Sequence, residues 1–173
     1  MTLLSVLLQD VHLALTKSQI DHALIGGIAL ATLGVNRATA DIDFLIDESD
    51  RQKVIDCLQK EKFHLRSDTD EVLHFSGSGY IDILLARRSL SKKMLKNAKE
   101  FSKFNVKCVS PEGIIGLKIQ AYKNNPKREH QDKADIQSLI EIKNNLNWEE
   151  IKQYADLFGA WDEILDIKKK LEK

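Results

Sequence analysis

Leu3, Leu4, Leu7, Val11 and Leu15 recur at helical spacing and predict an amphipathic first helix. Asp21–Ile25 then reads as a short apolar strand, closed by the pair Gly26-Gly27. Ile28–Leu33 is a short helix with Gly34 as its C-cap. Val35–Ala40 is a loop, and Asp41–Ile46 is a second strand. Asp47, Glu48, Ser49 and Asp50 supply a cap and first-turn acids for a helix running to about Lys62. Phe63–Arg66, Val72–Phe75 and Tyr80–Leu85 are further strands. Ser67–Asp70 is a turn, and Ser76-Gly77-Ser78-Gly79 is hairpin chemistry. Ser89 caps a basic helix, Lys92–Lys99, and Phe104–Val109 is an edge strand. From Ser110-Pro111 onward the pattern is helical: to about Tyr122, then Arg128–Asn144, Trp148–Phe158 and Trp161–Leu171. Trp148, Tyr154, Phe158 and Trp161 read as core between the last helices. The expected class is α+β: a mixed sheet core with flanking helices over residues 1–109, then a small C-terminal helical bundle over residues 110–173 packed on it.

Composition refines this picture without overturning it. A chain of 173 residues with 43% hydrophobic and 30% charged positions can bury a core without staples. Cys57 and Cys108 form neither a disulfide framework nor a zinc pattern, which fits a reducing cytoplasm. The apolar N-terminus has no basic leader or small-residue cleavage site, and no apolar run approaches the roughly 20 residues needed to cross a bilayer. The expectation is a cytoplasmic protein without a membrane partner.

The net charge is zero, yet it is unevenly spread. Residues 1–83 hold 7 Lys/Arg against 13 Asp/Glu, residues 84–133 hold 13 against 4, and residues 134–173 hold 6 against 9. An acidic first half beside a basic middle segment points to a polyanionic ligand, a nucleotide or nucleic acid; the plainer reading is solvated helix faces.

Candidate chemistry concentrates in ALIGGIALATLGVNRATADIDF, residues 23–44. Strand alternation turns Asp41 and Asp43 to one face, with Ile42 and Phe44 on the other. Adjacent carboxylates repel, and a hard divalent cation such as Mg²⁺ removes the conflict. Asp82, in YIDILLA, is a third acid on an otherwise apolar strand; if that strand lies beside Asp41–Ile46, all three converge. Three such carboxylates suit two-ion phosphoryl or nucleotidyl transfer, with the ions about 4 Å apart. Gly26 and Gly27 would let backbone N–H groups approach a phosphate. Gly77 and Gly79 do not open a helix and read as a turn. His12, His22, His64, His74 and His130 have no mutual metal-ligand spacing and read as packing or surface residues.

The run GGIALATLGVNRATADID resembles the signature of the nucleotidyltransferase superfamily, with its DNA-polymerase-β-like fold. Its R-x-T-x-D-h-D form, carried by Arg37, Thr39, Asp41 and Asp43, looks most like the AbiEii-type toxin nucleotidyltransferases. Lys118 in GLKIQAY, and Asp132 and Asp135 in HQDKADI, match that group's later motifs. The resemblance implies a Mg²⁺-dependent enzyme moving an NMP, as from ATP, to a hydroxyl of RNA (a tRNA-like end) or of a protein, as the toxin of a toxin–antitoxin system with a cognate antitoxin. Asp41, Asp43 and Asp82 would hold the metal and Asp82 take the acceptor's proton. Gly26, Gly27, Arg37 and Thr39 would meet the nucleotide and Lys118 its phosphates. Asp132 and Asp135 would orient Lys118 or read base or ribose. The alternatives are a small-molecule, antibiotic-type acceptor, or a catalytically inert member acting as a binding partner.

Overall fold

The computed structural model describes residues 2–101 and 105–172. The chain divides into two compact units. One comprises the residues up to Ala29 together with Arg37–Val109; the other comprises Leu30–Asn36 and the chain from Ser110 onward.

The first unit is built on a seven-stranded mixed sheet in the order β3-β4-β5-β2-β1-β7-β6. Its strands are β1 (His22–Ile25), β2 (Asp41–Asp47), β3 (His64–Asp68), β4 (Val72–Ser76), β5 (Tyr80–Ala86), β6 (Lys99–Phe101) and β7 (Val106–Cys108). β1 runs antiparallel to β2 and parallel to β7, while β2 and β5 are parallel neighbours. β3-β4-β5 is an antiparallel meander. Alternation within β2 is clean where it matters: Ile42 and Phe44 are fully buried, and Asp41 and Asp43 are half-buried on the other face. Phe44, Ile81, Ile83, Leu73 and Phe75 then build the core behind the carboxylate face.

Helix α1 (Leu3–Lys17) buries Leu7, Leu8, Val11, Ala14 and Leu15, and Thr2 caps it by accepting from Ser5 N. Helix α3 (Arg51–Lys60) buries Val54, Ile55, Cys57 and Leu58. Asp47 accepts from Ser49 N at 2.9 Å in the short 3₁₀ turn before α3, and that hydrogen bond holds its carboxyl below the ordinary value. His22 is buried edge-on against Phe44; it meets Ile20 O at 2.7 Å and His12 at 2.8 Å. Burial lowers the pKa of both histidines.

Several boundaries differ from the sequence reading. Helix α4 spans Ser89–Lys96, so Ser89 is its first residue rather than its cap, and Lys99 belongs to β6. Ser91 Oγ ties that end by accepting from Arg88 N. The strand expected at Phe104–Val109 is β7, which has β1 on one side and β6 on the other; Phe104 lies outside the described residues. β3 continues to Asp68, two residues into the expected turn.

The second unit holds α5 (Pro111–Asn124), α6 (Glu129–Ile142), α7 (Trp148–Asp156) and α8 (Trp161–Leu171). Ser110 caps α5 by accepting from Gly113 N at 3.1 Å, with Pro111 at the first helical position. Gly116 lies against the Tyr154 ring, where a Cβ would come within 2.7 Å of Cγ, so its small size sets the close approach of α5 and α7. Of the four aromatics expected in this core, only Tyr154 is fully buried. Trp148 and Trp161 are half-exposed beneath Lys168 and Lys152, a cationic cover that suits an indole ring left partly in water. Among the described residues no helix is long and apolar enough to cross a membrane.

Candidate functional site

The parallel pairing of β2 with β5 decides the geometry. Its register sets Asp43 opposite Asp82 and Asp41 opposite Tyr80. In-register neighbours on adjacent strands present side chains to the same face, so Asp41, Asp43 and Asp82 share one side of the sheet. On the far side of Asp43, β1 contributes Ile25; on the far side of Asp82, β4 contributes His74. One cross-strand row therefore reads Ile25, Asp43, Asp82, His74. Tyr80, an exposed large apolar side chain, stands one row along beside Asp41.

Behind Asp43 lies the glycine pair. Helix α2 spans Gly26–Thr32, so both glycines sit in its first turn rather than ahead of it. Gly26 has φ +65°, and a Cβ there would overlap Asp43 Oδ2. Both facts demand glycine: the backbone is left-handed, and the carboxylate occupies the space a side chain would need. A Cβ on Gly27 would fall 2.5 Å from Thr39 Cβ. Thr39 reaches on to Asp41 O at 3.4 Å, so the pair GG, Thr39 and the two acids pack as one local unit. Arg37, half-buried, precedes them in the loop after Gly34, whose φ of +104° closes α2.

His74 is the residue that the sequence reading passed over. Its Nδ1 lies 2.7 Å from Asp82 Oδ1, with side-chain exposures of 45% and 33%. A signal for it existed: the tight connection Gly77–Gly79 pairs Ser76 with Tyr80, and counting outward by two pairs His74 with Asp82. Assigning all histidines together to packing or surface obscured that arithmetic.

The donor set suits a hard divalent ion in chemical type, three carboxylates on one face with glycine backbone closing in behind. Among the described residues, however, no three His, Cys, Asp or Glu side chains are gathered into a group that could hold a metal. The three aspartates share the face; in this arrangement they do not close on one point.

Lys118, Asp132 and Asp135 meet in the second unit. Lys118, 5% exposed, donates to Asp132 Oδ1 at 2.9 Å and lies 2.7 Å from Asp135 Oδ2. Arg128 Nε contacts Asp132 Oδ2 at 3.2 Å, and Gln131 donates to Asp135 Oδ1 at 3.1 Å. The three-residue spacing of the two acids on α6 aims both at α5, and two cations balance two anions. The Lys118 ammonium is thus committed to carboxylates.

No protein-family model matches the chain, and no curated protein does. Solved structures do. The antibiotic-resistance factor ANT(2'')-Ia, in its crystal structure with adenylyl-2''-tobramycin, superposes with a TM-score of 0.69 at 16% identity, over 92% of this chain and 98% of its own. An antigenic nucleotidyltransferase-like protein from Paracoccidioides brasiliensis gives 0.56 at 20% identity, over 96% and 92%. The lincomycin-bound lincosamide antibiotic adenylyltransferase LnuA gives 0.53 at 17%, over 75% and 91%. With its mixed sheet, flanking helices and appended helical unit, this chain has the fold of the nucleotidyltransferases.

Proposed function

We propose that the protein transfers a nucleoside monophosphate from an NTP to a hydroxyl group and releases pyrophosphate. The observation that carries this reading is the in-register pairing of Asp43 with Asp82, with Asp41 on the same face and Gly26 pressed against Asp43. Asp41, Asp43 and Asp82 would hold Mg²⁺. When bound, the metal would supply positive charge to the triphosphate and acidify the acceptor hydroxyl. Asp82, at the outer end of the acid row, is the base for the acceptor's proton. Gly26 and Gly27, pressed against Asp43 and Thr39, would offer backbone N–H groups to a phosphate, and Arg37 would neutralise it. Lys118 is the tether of Asp132 and Asp135 rather than a phosphate ligand, since its ammonium already meets both.

The acceptor is a small hydroxyl-bearing molecule. Two observations support this. The basic middle segment that suggested a nucleic-acid partner holds thirteen Lys and Arg, and seven of them (Arg87, Lys92, Lys107, Lys118, Lys123, Arg128 and Lys133) are paired with acids. The fold shared with ANT(2'')-Ia also extends through the helical second unit. A second reading, an RNA or protein acceptor within a toxin–antitoxin pair, is favoured by one observation: the Arg37-x-Thr39-x-Asp41-x-Asp43 spacing and its AbiEii-type likeness.

The test is incubation with each labelled NTP and Mg²⁺, offering aminoglycosides and lincosamides, total RNA, and protein in parallel. Label should pass to a small molecule, and the Asp41→Ala/Asp43→Ala variant should transfer none. Label on RNA or protein alone would replace the first acceptor by the second. Equal background from wild type and variant in every arm would end the enzymatic reading.

A further inference from the structure

We propose that His74 is the positioning residue for Asp82, holding one carboxylate oxygen by its Nδ1–H and leaving Oδ2 as the oxygen that serves the site. This deepens the nucleotidyl-transfer reading and rests on it.

The hydrogen bond fixes more than a distance. An ionised carboxylate only accepts, so the proton in the 2.7 Å contact belongs to His74 Nδ1. In the neutral ring Nε2 is then the lone-pair nitrogen. Asp82 stands between Asp43 on β2 and His74 on β4, in register with both. A carboxylate beside another carboxylate is repelled by its like charge. A donor on the opposite strand captures Oδ1 and holds it in place. The pair is too exposed, at 45% and 33%, for a role in stability. Its value lies in orientation, as with the outer hydrogen-bond partners that hold metal-binding carboxylates elsewhere.

The chemistry demands a donor at the δ position. Asparagine carries an N–H near that place, glutamine carries one near the ε position, and leucine carries none. Transfer should therefore fall about 10–100-fold in kcat for His74→Leu, the usual cost of losing an outer partner, with NTP KM close to wild type. His74→Asn should recover most of the loss and His74→Gln little. Mn²⁺ affinity, measured without nucleotide, should weaken for His74→Leu within the same range. Independently of any activity, the ¹⁵N imidazole spectrum of the neutral ring, recorded at alkaline pH, should show the Nδ1–H tautomer. Asp82→Ala should return the ring to Nε2–H.

An Nε2–H tautomer in wild type overturns the inference. So does a His74→Leu variant that keeps wild-type kcat and Mn²⁺ affinity, or Asn and Gln variants of equal activity. Failure of the underlying reading looks different: the Nδ1–H tautomer is present, yet no NTP is transferred. In that case a loss of Mn²⁺ affinity in His74→Leu still supports the positioning role, and a wild type that binds no Mn²⁺ overturns it too.

Discussion

Lys118→Met removes a cation enclosed with Asp132 and Asp135. The side chains of the three are 7%, 0% and 4% exposed, so water cannot replace the lost charge. Arg128 contacts Asp132 but is itself half in solvent at 53%. Removing one partner of a buried ion pair costs about 3–5 kcal/mol, because the remaining charge stays buried. At about 2–4 °C per kcal/mol for a chain of this size, that lowers the melting temperature by roughly 6–20 °C. Trp148 and Trp161 are the only tryptophans and both lie in the second unit, so intrinsic fluorescence follows that unit's unfolding directly. Adding Asp132→Asn and Asp135→Asn to Lys118→Met removes the stranded charges and should recover much of the loss. The coupling energy of such a cycle reports the network itself. A Lys118→Met variant within about 1 kcal/mol of wild type would place the triad with hydrated surface pairs and refute the argument.

Gly26→Ala should fold yet transfer no nucleotide, because the added Cβ takes the place of Asp43 Oδ2 at a left-handed position; wild-type kcat in that variant would show that the site needs neither feature. Glu163 is raised by burial, but hydrogen bonds from Lys123 and Lys133 outweigh this and bring it down from 4.5 to about 2. Since its folded value is the lower one, its contribution is full above about 4.5 and fades as pH falls towards 2; Glu163→Gln should flatten the acid limb of a fluorescence-monitored stability curve in that window. Burial raises the Cys108 thiol to about 12, so thiol reagents at neutral pH should label it only after denaturation.

The sheet was legible because its strands obey simple alternation. DIDF and YIDIL each place acid and apolar residues on opposite faces, and the structure keeps them there. The cap at Ser110-Pro111 and the stop at Gly34 were equally readable, since each depends on one residue's backbone chemistry. The misses have a different physical origin. β6 is three residues long, too short for any period to show, and so the edge was assigned one strand too early. Trp148 and Trp161 fit the helical stripe of a core, but cation–π cover satisfies them half-exposed, a tertiary choice invisible in spacing. Asp132 and Asp135 without their family likeness read as surface acids; the arrival of Lys118 from α5, with Arg128 on Asp132, offsets the cost of their burial.

Charge tells the same story at larger scale, and it bears on the acceptor. A segment excess of Lys and Arg is a one-dimensional quantity, whereas a ligand meets a three-dimensional field. Arg87 pairs with Glu48, Lys92 with Asp47 and Lys107 with Asp21, so basic residues of the middle segment are neutralised by acids of the first. Lys123 and Lys133 converge on Glu163 from the last. Part of the acidic and basic excess is therefore matched inside the fold. A polyanion would have to compete with those acids, and exposed pairs that hold each other add little steering beyond a Debye length of about 8 Å at physiological salt. On the proposed reading, the aspartate row, with three acids on one face of the sheet, would meet a nucleotide through its accompanying cation.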